Sequence, residues 1–295
     1  MRGKSKGCEM LIGGPKKKVI QNIKKNLEKG DFNAKAEIGD PVFSDEDRKK
    51  ALKRFKRIRL NPVGYFFRSE FAYLFVDGLA HRLNKAIKVE GLENLKKVKT
   101  GAIVTSNHFN PLDSMMPRKV IKKAFHKNIY IVSQDTNLAM PGFIGYLINH
   151  LNILPICPGA VYMAKTFKPK LQKLLSKGEY VLIYPEEEMW FNYRKPRPGK
   201  SGAYRFAAEY NVPVISCFTE MVDTEKVDNA EFYNVDYVAH VLKPIYPDPK
   251  KSVKENAKEM AEKDYAQRVE AYEKAYGKKL SYNFHPDDIA GWRGN

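Results

Sequence analysis

From about residue 86 onward the chain alternates short apolar runs with longer amphipathic stretches. Apolar runs of strand length fall at 86–90, 101–106, 128–134, 151–156, 180–184, 212–218 and 235–243. Helical spacing fits the stretches 111–125, 141–150, 159–177 and 199–210 between them. A short apolar run bounded by turn residues reads as a buried strand, and strand–helix alternation implies parallel strands joined by crossover helices. The fold class predicted is α/β, with a mixed, mostly parallel sheet flanked by helices. Ahead of it the pattern differs. Ser44-Asp45-Glu46-Asp47 reads as a capped, acidic helix start, and the helix that follows carries Leu52, Phe55 and Ile58 on one stripe until Asn61-Pro62 breaks it. A second helical stretch, about 63–84, holds Tyr65, Phe66, Phe67, Phe71, Tyr73 and Phe75. The sheet is thus preceded by an N-terminal helical hairpin. The expected division is a basic, poorly patterned segment at 1–43, an amphipathic hairpin at 44–85, the α/β domain at 86–249, and a C-terminal helix and tail at 250–295. Within the last segment, 280–295 is expected to drape over the surface.

One segment is set apart by what it lacks. Between Thr136 and Ala164, 29 consecutive residues include no Asp, Glu, Lys or Arg. Pro141, Gly142, Pro155 and Pro158 interrupt it, so it does not read as a membrane span. It is either a buried helix and strand, or the wall of an apolar cavity or a surface that dips into lipid.

Charge sharpens the picture of the N-terminal part. The formal net charge is +18, and residues 1–60 hold 18 Lys and Arg against 8 Asp and Glu, a surplus of 10. Lys49, Lys50, Lys53, Arg54, Lys56, Arg57 and Arg59 sit on the first helix of the hairpin, beside the aromatic one. Cations at lipid phosphates and aromatic rings at headgroup level suit an interfacial membrane contact. A hairpin packed on the domain with a solvated basic face suits the same pattern. Nucleic acid is also anionic, yet the charge comes with no zinc spacing, helix-turn-helix pattern or aromatic RNA motif. Cys8, Cys157 and Cys217 share no metal-ligand spacing and read as free thiols in a reducing compartment. No signal peptide opens the chain and no run of 18 apolar residues occurs, so a cytoplasmic protein is expected.

The candidate chemistry begins at Thr105-Ser106-Asn107-His108-Phe109-Asn110-Pro111-Leu112-Asp113, which follows the apolar run Ala102-Ile103-Val104. Asn110 reads as a helix N-cap, with Pro111 at the first helical position and Asp113 at the third. Residues five apart in one helix point roughly 140° away from each other. Across a strand–turn–helix corner they converge, and an imidazole held by a carboxylate is a general base. A capping Asp beside a partly buried His fits the spacing as well. A second apolar run, Val181-Leu182-Ile183-Tyr184, leads into Pro185-Glu186-Glu187-Glu188, carboxylates at the end of a strand where α/β folds place their sites. Arg194, Lys195, Arg197 and Lys200 follow, a basic loop able to neutralise those acids or bind phosphate.

The order of motifs is familiar: Asn107-His108 with Asp113, the proline-led Leu154-Pro155-Ile156, Tyr184-Pro185-Glu186, Gly199-Lys200-Ser201-Gly202-Ala203, and Val212-Pro213-Val214. Over about residues 86–245 the chain resembles the glycerolipid acyltransferases, in particular the bacterial 1-acylglycerol-3-phosphate acyltransferases. The resemblance implies that His108 deprotonates an acceptor hydroxyl, that Asp113 orients it, that Glu186 helps position the acceptor, and that Asn107 matches the residue before the motif histidine. It implies transfer of a fatty acyl group from acyl-CoA or acyl carrier protein to a lysophospholipid. Lysophosphatidate would be the acceptor, on the anionic cytosolic membrane face, with no bound cofactor or metal. Two departures bear on the acceptor. The family motif continues Glu-Gly-Thr-Arg where this chain has Glu186-Glu187-Glu188-Met189, and Cys157-Pro158 stand where an arginine usually follows the proline-led strand. The phosphate would then fall to Arg194, Lys195, Arg197 and Lys200, the last matching a basic position of the family. Transfer to a different lysolipid or an amine, and a member that binds lipid without catalysis, are the alternatives.

Overall fold

Ala102–Thr105 (β2) is buried at all four positions, as a strand covered by helices on both faces must be. It lies at the centre of a seven-stranded sheet of a computed structural model that describes residues 16–38, 42–83 and 87–294. The other strands are Lys88–Glu90 (β1), Ile129–Gln134 (β3), Ile153–Ile156 (β4), Tyr180–Leu182 (β5), Val214–Val227 (β6) and Tyr233–Val241 (β7). Their order is β1-β7-β6-β2-β5-β3-β4, parallel throughout except for the antiparallel β6–β7 pair. The chain is an α/β protein with a mixed, mostly parallel sheet.

Alternation along β2 and β5 sends side chains to two cores. Val104 and Leu182 pack under helix α4 (Met115–Phe125) with Met116, Val120 and Ile121. Ile103 and Val181 pack on the other face with Leu171, Ala203, Ala207 and Met260. Those four come from α7 (Lys168–Ser176), α8 (Gly202–Glu209) and α9 (Val253–Tyr276). Cys157 and Cys217 are buried free thiols, and Cys8 lies outside the described residues.

Several boundaries differ from those read off the pattern. β6 runs past 218 to Val227, because its polar half pairs with β7 as a ribbon whose exposed residues look like a loop in sequence. α4 begins at Met115, four residues after Pro111, since the side chains of Asn110 and Asp113 take the backbone N–H groups of Phe109, Asn110 and Leu112 into a turn of their own. The stretch 159–177 is α6 (Ala160–Tyr162), a π turn (Met163–Phe167) and α7 in direct succession. Pro169 lacks the N–H that would continue the ordinary ladder there. α5 (Gly142–His150) occupies the uncharged segment.

The ends of the chain also correct the sequence reading. Within the segment 1–43, Lys16–Glu28 is a helix (α1) that buries Val19, Ile20, Ile23 and Leu27. Its apolar stripe is four residues wide, and the interleaved lysines hide it. The tail is partly interior: Asp288, Ile289 and Ala290 are buried, and Ile289 and Trp292 bridge to Tyr193 and Phe232.

The hairpin consists of α2 (Asp45–Ile58), capped by Ser44 and Asp47, and α3 (Pro62–Leu83). Its arginines dock it on the domain. Arg48 pairs with Asp135 at 2.9 Å, Arg54 donates to the Leu138 carbonyl, and Arg59 donates to those of Asn149 and Leu151. α3 packs along α5, with Phe75 on Phe143 and Phe71 on Tyr146, yet Phe66, Phe67, Phe71 and Leu74 are each more than half exposed. Among the described residues, no helix is long and apolar enough to cross a membrane.

Candidate active site

β2, β5 and β6 end at the same edge of the sheet, and the chain leaving β2 turns over that edge through Ser106–Ser114. The turn is bolted down by Asn107. Its side chain donates to the Thr219 carbonyl at 3.0 Å and accepts the Thr219 N–H at 2.8 Å, mimicking one rung of a ladder with β6. Asn107 is 1% exposed, so its amide is spent on the fold and does not face a substrate.

One residue on, His108 Nδ1 lies 2.7 Å from Asp113 Oδ2. That oxygen also accepts the N–H groups of Phe109 at 2.8 Å and Asn110 at 3.3 Å. The other oxygen accepts the Tyr184 hydroxyl at 2.5 Å, and the Tyr184 ring stacks on the imidazole. An ionised carboxylate only accepts, so Nδ1 carries the proton and Nε2 keeps a free lone pair. Asp113 is buried, whereas the His108 side chain is 21% exposed. The pair can take a proton from a hydroxyl that reaches Nε2 and return it to a leaving group.

Glu186 sits under this corner and is 1% exposed. Its Oε2 accepts the His108 N–H at 3.3 Å and Arg197 Nε at 3.1 Å, while Oε1 accepts Arg268 Nη1 at 2.9 Å and the Arg197 N–H at 3.1 Å. Arg268 also pairs with Asp264 one helical turn earlier on α9, and Asp264 accepts from Thr105 at the end of β2 and from Tyr204 of α8. Two carboxylates and two guanidinium groups thus close a buried, internally neutral network. Glu186 is a brace for the His108 backbone. Both of its oxygens are taken by donors of the fold, where the motif led to the expectation of a group that positions the acceptor.

The basic loop is engaged in the same way. Arg194 donates to the Met221 and Asp287 carbonyls and pairs with Asp223. Lys195 pairs with buried Asp288 at 2.6 Å and donates to the Asn283 carbonyl. Beyond Glu186, Arg197 donates to the carbonyls of Phe32, Glu188 and His108. All three are buried and engaged by internal acceptors, where the sequence led to the expectation of phosphate ligands. Lys200 is exposed at the end of the loop.

Both termini clamp this loop. Asn33 donates to the Glu186 and Pro198 carbonyls, Trp190 donates to that of Ala34, and α1 packs on Trp190 and Phe191. Gly199 returns so close to the motif that a Cβ there would sit 2.6 Å from Pro185 Cβ, and Lys200 N–H closes on the Pro185 carbonyl at 2.7 Å. Glu187, which stands where the family motif has glycine, keeps a left-handed backbone with φ of 61°. Glu187 thus holds a conformation that glycine adopts without strain.

Sequence reasoning missed Tyr184, Asp264 and Arg268. Tyr184 precedes the Pro-Glu pair and reads as the last residue of a strand. Asp264 and Arg268 sit four apart on a heavily charged helix, where such pairs are ordinarily solvated.

Residues 86–220 match the family model described as Acyltransferase. Comparison with curated proteins finds no match. Among solved structures the chain is similar to the 1-acyl-sn-glycerophosphate (LPA) acyltransferase PlsC from Thermotoga maritima. The identity is 17%, the TM-score 0.48, and the likeness covers 79% of this chain and 90% of that one. The matched residues span β2, the His108 corner and the Glu186 loop.

Proposed function

We propose that the protein transfers a fatty acyl group from an acyl thioester, acyl-CoA or acyl carrier protein, to the free hydroxyl of a lysolipid. The proposed acceptor is 1-acylglycerol-3-phosphate and the product phosphatidate. His108 Nε2 takes the proton of the acceptor hydroxyl as its oxygen attacks the thioester carbonyl. The tetrahedral intermediate collapses, the C–S bond breaks, and the imidazolium returns the proton to the departing thiolate, leaving an ester and a free thiol. Asp113 holds Nδ1–H throughout and stabilises the transient imidazolium. The thioester brings its own activation, so the step draws on no covalent serine or cysteine intermediate. The observation that carries the reading is the 2.7 Å His108–Asp113 contact at the sheet edge, within the residues that match the Acyltransferase family model, with the acid buried and the base partly exposed.

A lipid acceptor is supported by the surface as well. The exposed rings of α3 lie beside exposed Lys49, Lys50, Lys53, Lys56 and Arg57 of α2, a combination suited to an anionic bilayer face. We therefore read the protein as peripheral on the cytosolic side of the membrane. A second reading, transfer to a lysolipid or amine without a phosphomonoester, is favoured by one observation. Arg194, Lys195 and Arg197 are all committed to internal acceptors.

The test presents acyl-CoA or acyl carrier protein and a panel of lysolipids on anionic vesicles. Lysophosphatidate should be acylated, and His108→Ala should lose about 10²–10⁴-fold in rate. A panel in which phosphate-free acceptors react and lysophosphatidate does not selects the second reading.

A further inference from the structure

Tyr184 lies two residues past the end of β5, where it meets both members of the His108–Asp113 pair. Its ring lies on the imidazole with centroids 4.0 Å apart and 13° between the planes. Its hydroxyl donates to Asp113 Oδ1, while Oδ2 holds His108 Nδ1–H and the N–H groups of Phe109 and Asn110. The two carboxylate oxygens thus serve different donors, and the group cannot turn about its Cβ–Cγ bond without breaking all four bonds. An imidazole held by one hydrogen bond can still tilt about it. A ring stacked on its face removes that freedom.

We propose that Tyr184 is a positioning residue of acyl transfer, its ring fixing the plane of His108 and its hydroxyl fixing the carboxylate that holds Nδ1. The proposal rests on the acyl-transfer reading above, since Tyr184 acts through the base and its acid. Burial, and after it the charge of Asp113, pushes the Tyr184 hydroxyl well above the ordinary tyrosine range, so it remains a donor across neutral pH. That donor also draws charge from the carboxylate. A carboxylate relieved of a hydrogen bond attracts a neighbouring cation more strongly, so loss of the hydroxyl favours protonated His108. Among the described residues, the other titratable or charged groups around the pair and Tyr184 include Glu186 on the His108 N–H, Arg197 on its carbonyl, Tyr237, whose hydroxyl accepts from Asn110, and the buried Cys217 thiol. The substitutions below leave all four in place.

The experiment compares wild type, Tyr184→Phe, Tyr184→Leu and His108→Ala with acyl-CoA and the best acceptor of the panel, across a pH series, each protein checked by its melting midpoint. Tyr184→Phe keeps the stack and loses the donor. Its kcat should fall roughly 10-fold with little change in KM, and the acidic limb of kcat/KM should move up by about half a pH unit. Tyr184→Leu also loses the stack and should fall roughly 100-fold. A tyrosine that served the fold alone would lower the melting midpoint and leave the acidic limb unmoved. If Tyr184→Phe matches wild type in kcat and pH profile while His108→Ala is inactive, the positioning role is wrong and the acyl-transfer mechanism stands. If His108→Ala stays active, the mechanism itself is wrong and the positioning role goes with it. Should Tyr184→Phe fold poorly, 3-fluorotyrosine installed at 184 keeps the ring and strengthens the donor. It should move the acidic limb the opposite way, and an unmoved limb overturns the proposal.

Discussion

Two stretches of this chain are basic in sequence and meet opposite fates. Lys49, Lys50, Lys53, Lys56 and Arg57 of α2 stand in solvent, whereas Arg194, Lys195 and Arg197 are buried against carboxylates and carbonyls beside the candidate site. Chemistry explains part of the split. A guanidinium offers five donors in a fixed fork and tolerates burial when several acceptors surround it, while an ammonium is strongly hydrated. In and just after α2, Arg48, Arg54 and Arg59 dock on the domain, while Arg57 stands in solvent with the lysines. Lys195 is buried because Asp288, from the chain's tail, comes to meet it. A basic run therefore announces an anionic partner without saying whether that partner is a ligand or a distant part of the same chain.

The sharpest way to break this comparison is to remove a buried cation. Arg268→Ala leaves Glu186 and Asp264 buried with one partner fewer, and should cost about 3–5 kcal/mol of stability, read by denaturant unfolding. A loss below about 1 kcal/mol would show that the network is solvated and the contrast with α2 unfounded. Next comes the exposed set. Lys49, Lys53 and Lys56 changed together to Ser should leave the unfolding free energy within about 0.5 kcal/mol of wild type. The same change should weaken binding to anionic vesicles by about 1 kcal/mol per lysine, an effect that fades with added salt. Vesicle binding that ignores both the substitution and the salt would assign attachment to the α3 rings alone.

The smallest effect is a pH dependence that belongs to the interior. Burial pushes Tyr180 up to about 12, and burial together with Asp113 or Asp264 holds Tyr184 and Tyr204 well above their ordinary value. Because the folded values are raised, the stability these groups contribute is complete below the unfolded tyrosine value of about 10 and is lost as pH rises from there through the folded values. The melting midpoint should stay level to about pH 9 and decline above about 10, equally in wild type and the α2 lysine variant. A decline confined to wild type would trace it to the surface lysines instead.

Much of the fold was legible because its strands are continuous apolar runs, a pattern that burial on both faces demands. β2, β5 and the start of β6 could be read directly from Ala102-Ile103-Val104, Val181-Leu182 and Val214-Ile215. α1 was not, since lysines at 16–18 and 24–25 mask its narrow apolar stripe. At the site, the residues of one short corner could be read and those assembled from distant segments could not. His108 and Asp113 are five apart, and their meeting follows from a turn. Arg268 reaches Glu186 across 82 residues of sequence, and Asn33 reaches it across 153, so neither contact leaves a local trace. The internal partners of Arg194 and Lys195 could not be read for the same reason: Asp223 and Asp288 lie in a ribbon and a tail whose positions only the fold supplies.

The central claim is that His108, held by Asp113, is the base of an acyl transfer. Its most direct measurement is the rate at which wild type and His108→Ala move the acyl group of acyl-CoA to a lysolipid on anionic vesicles, with melting midpoints taken in parallel. The account predicts a loss of about 10²–10⁴-fold in the variant at an unchanged midpoint. Equal rates across the whole lysolipid panel would contradict it.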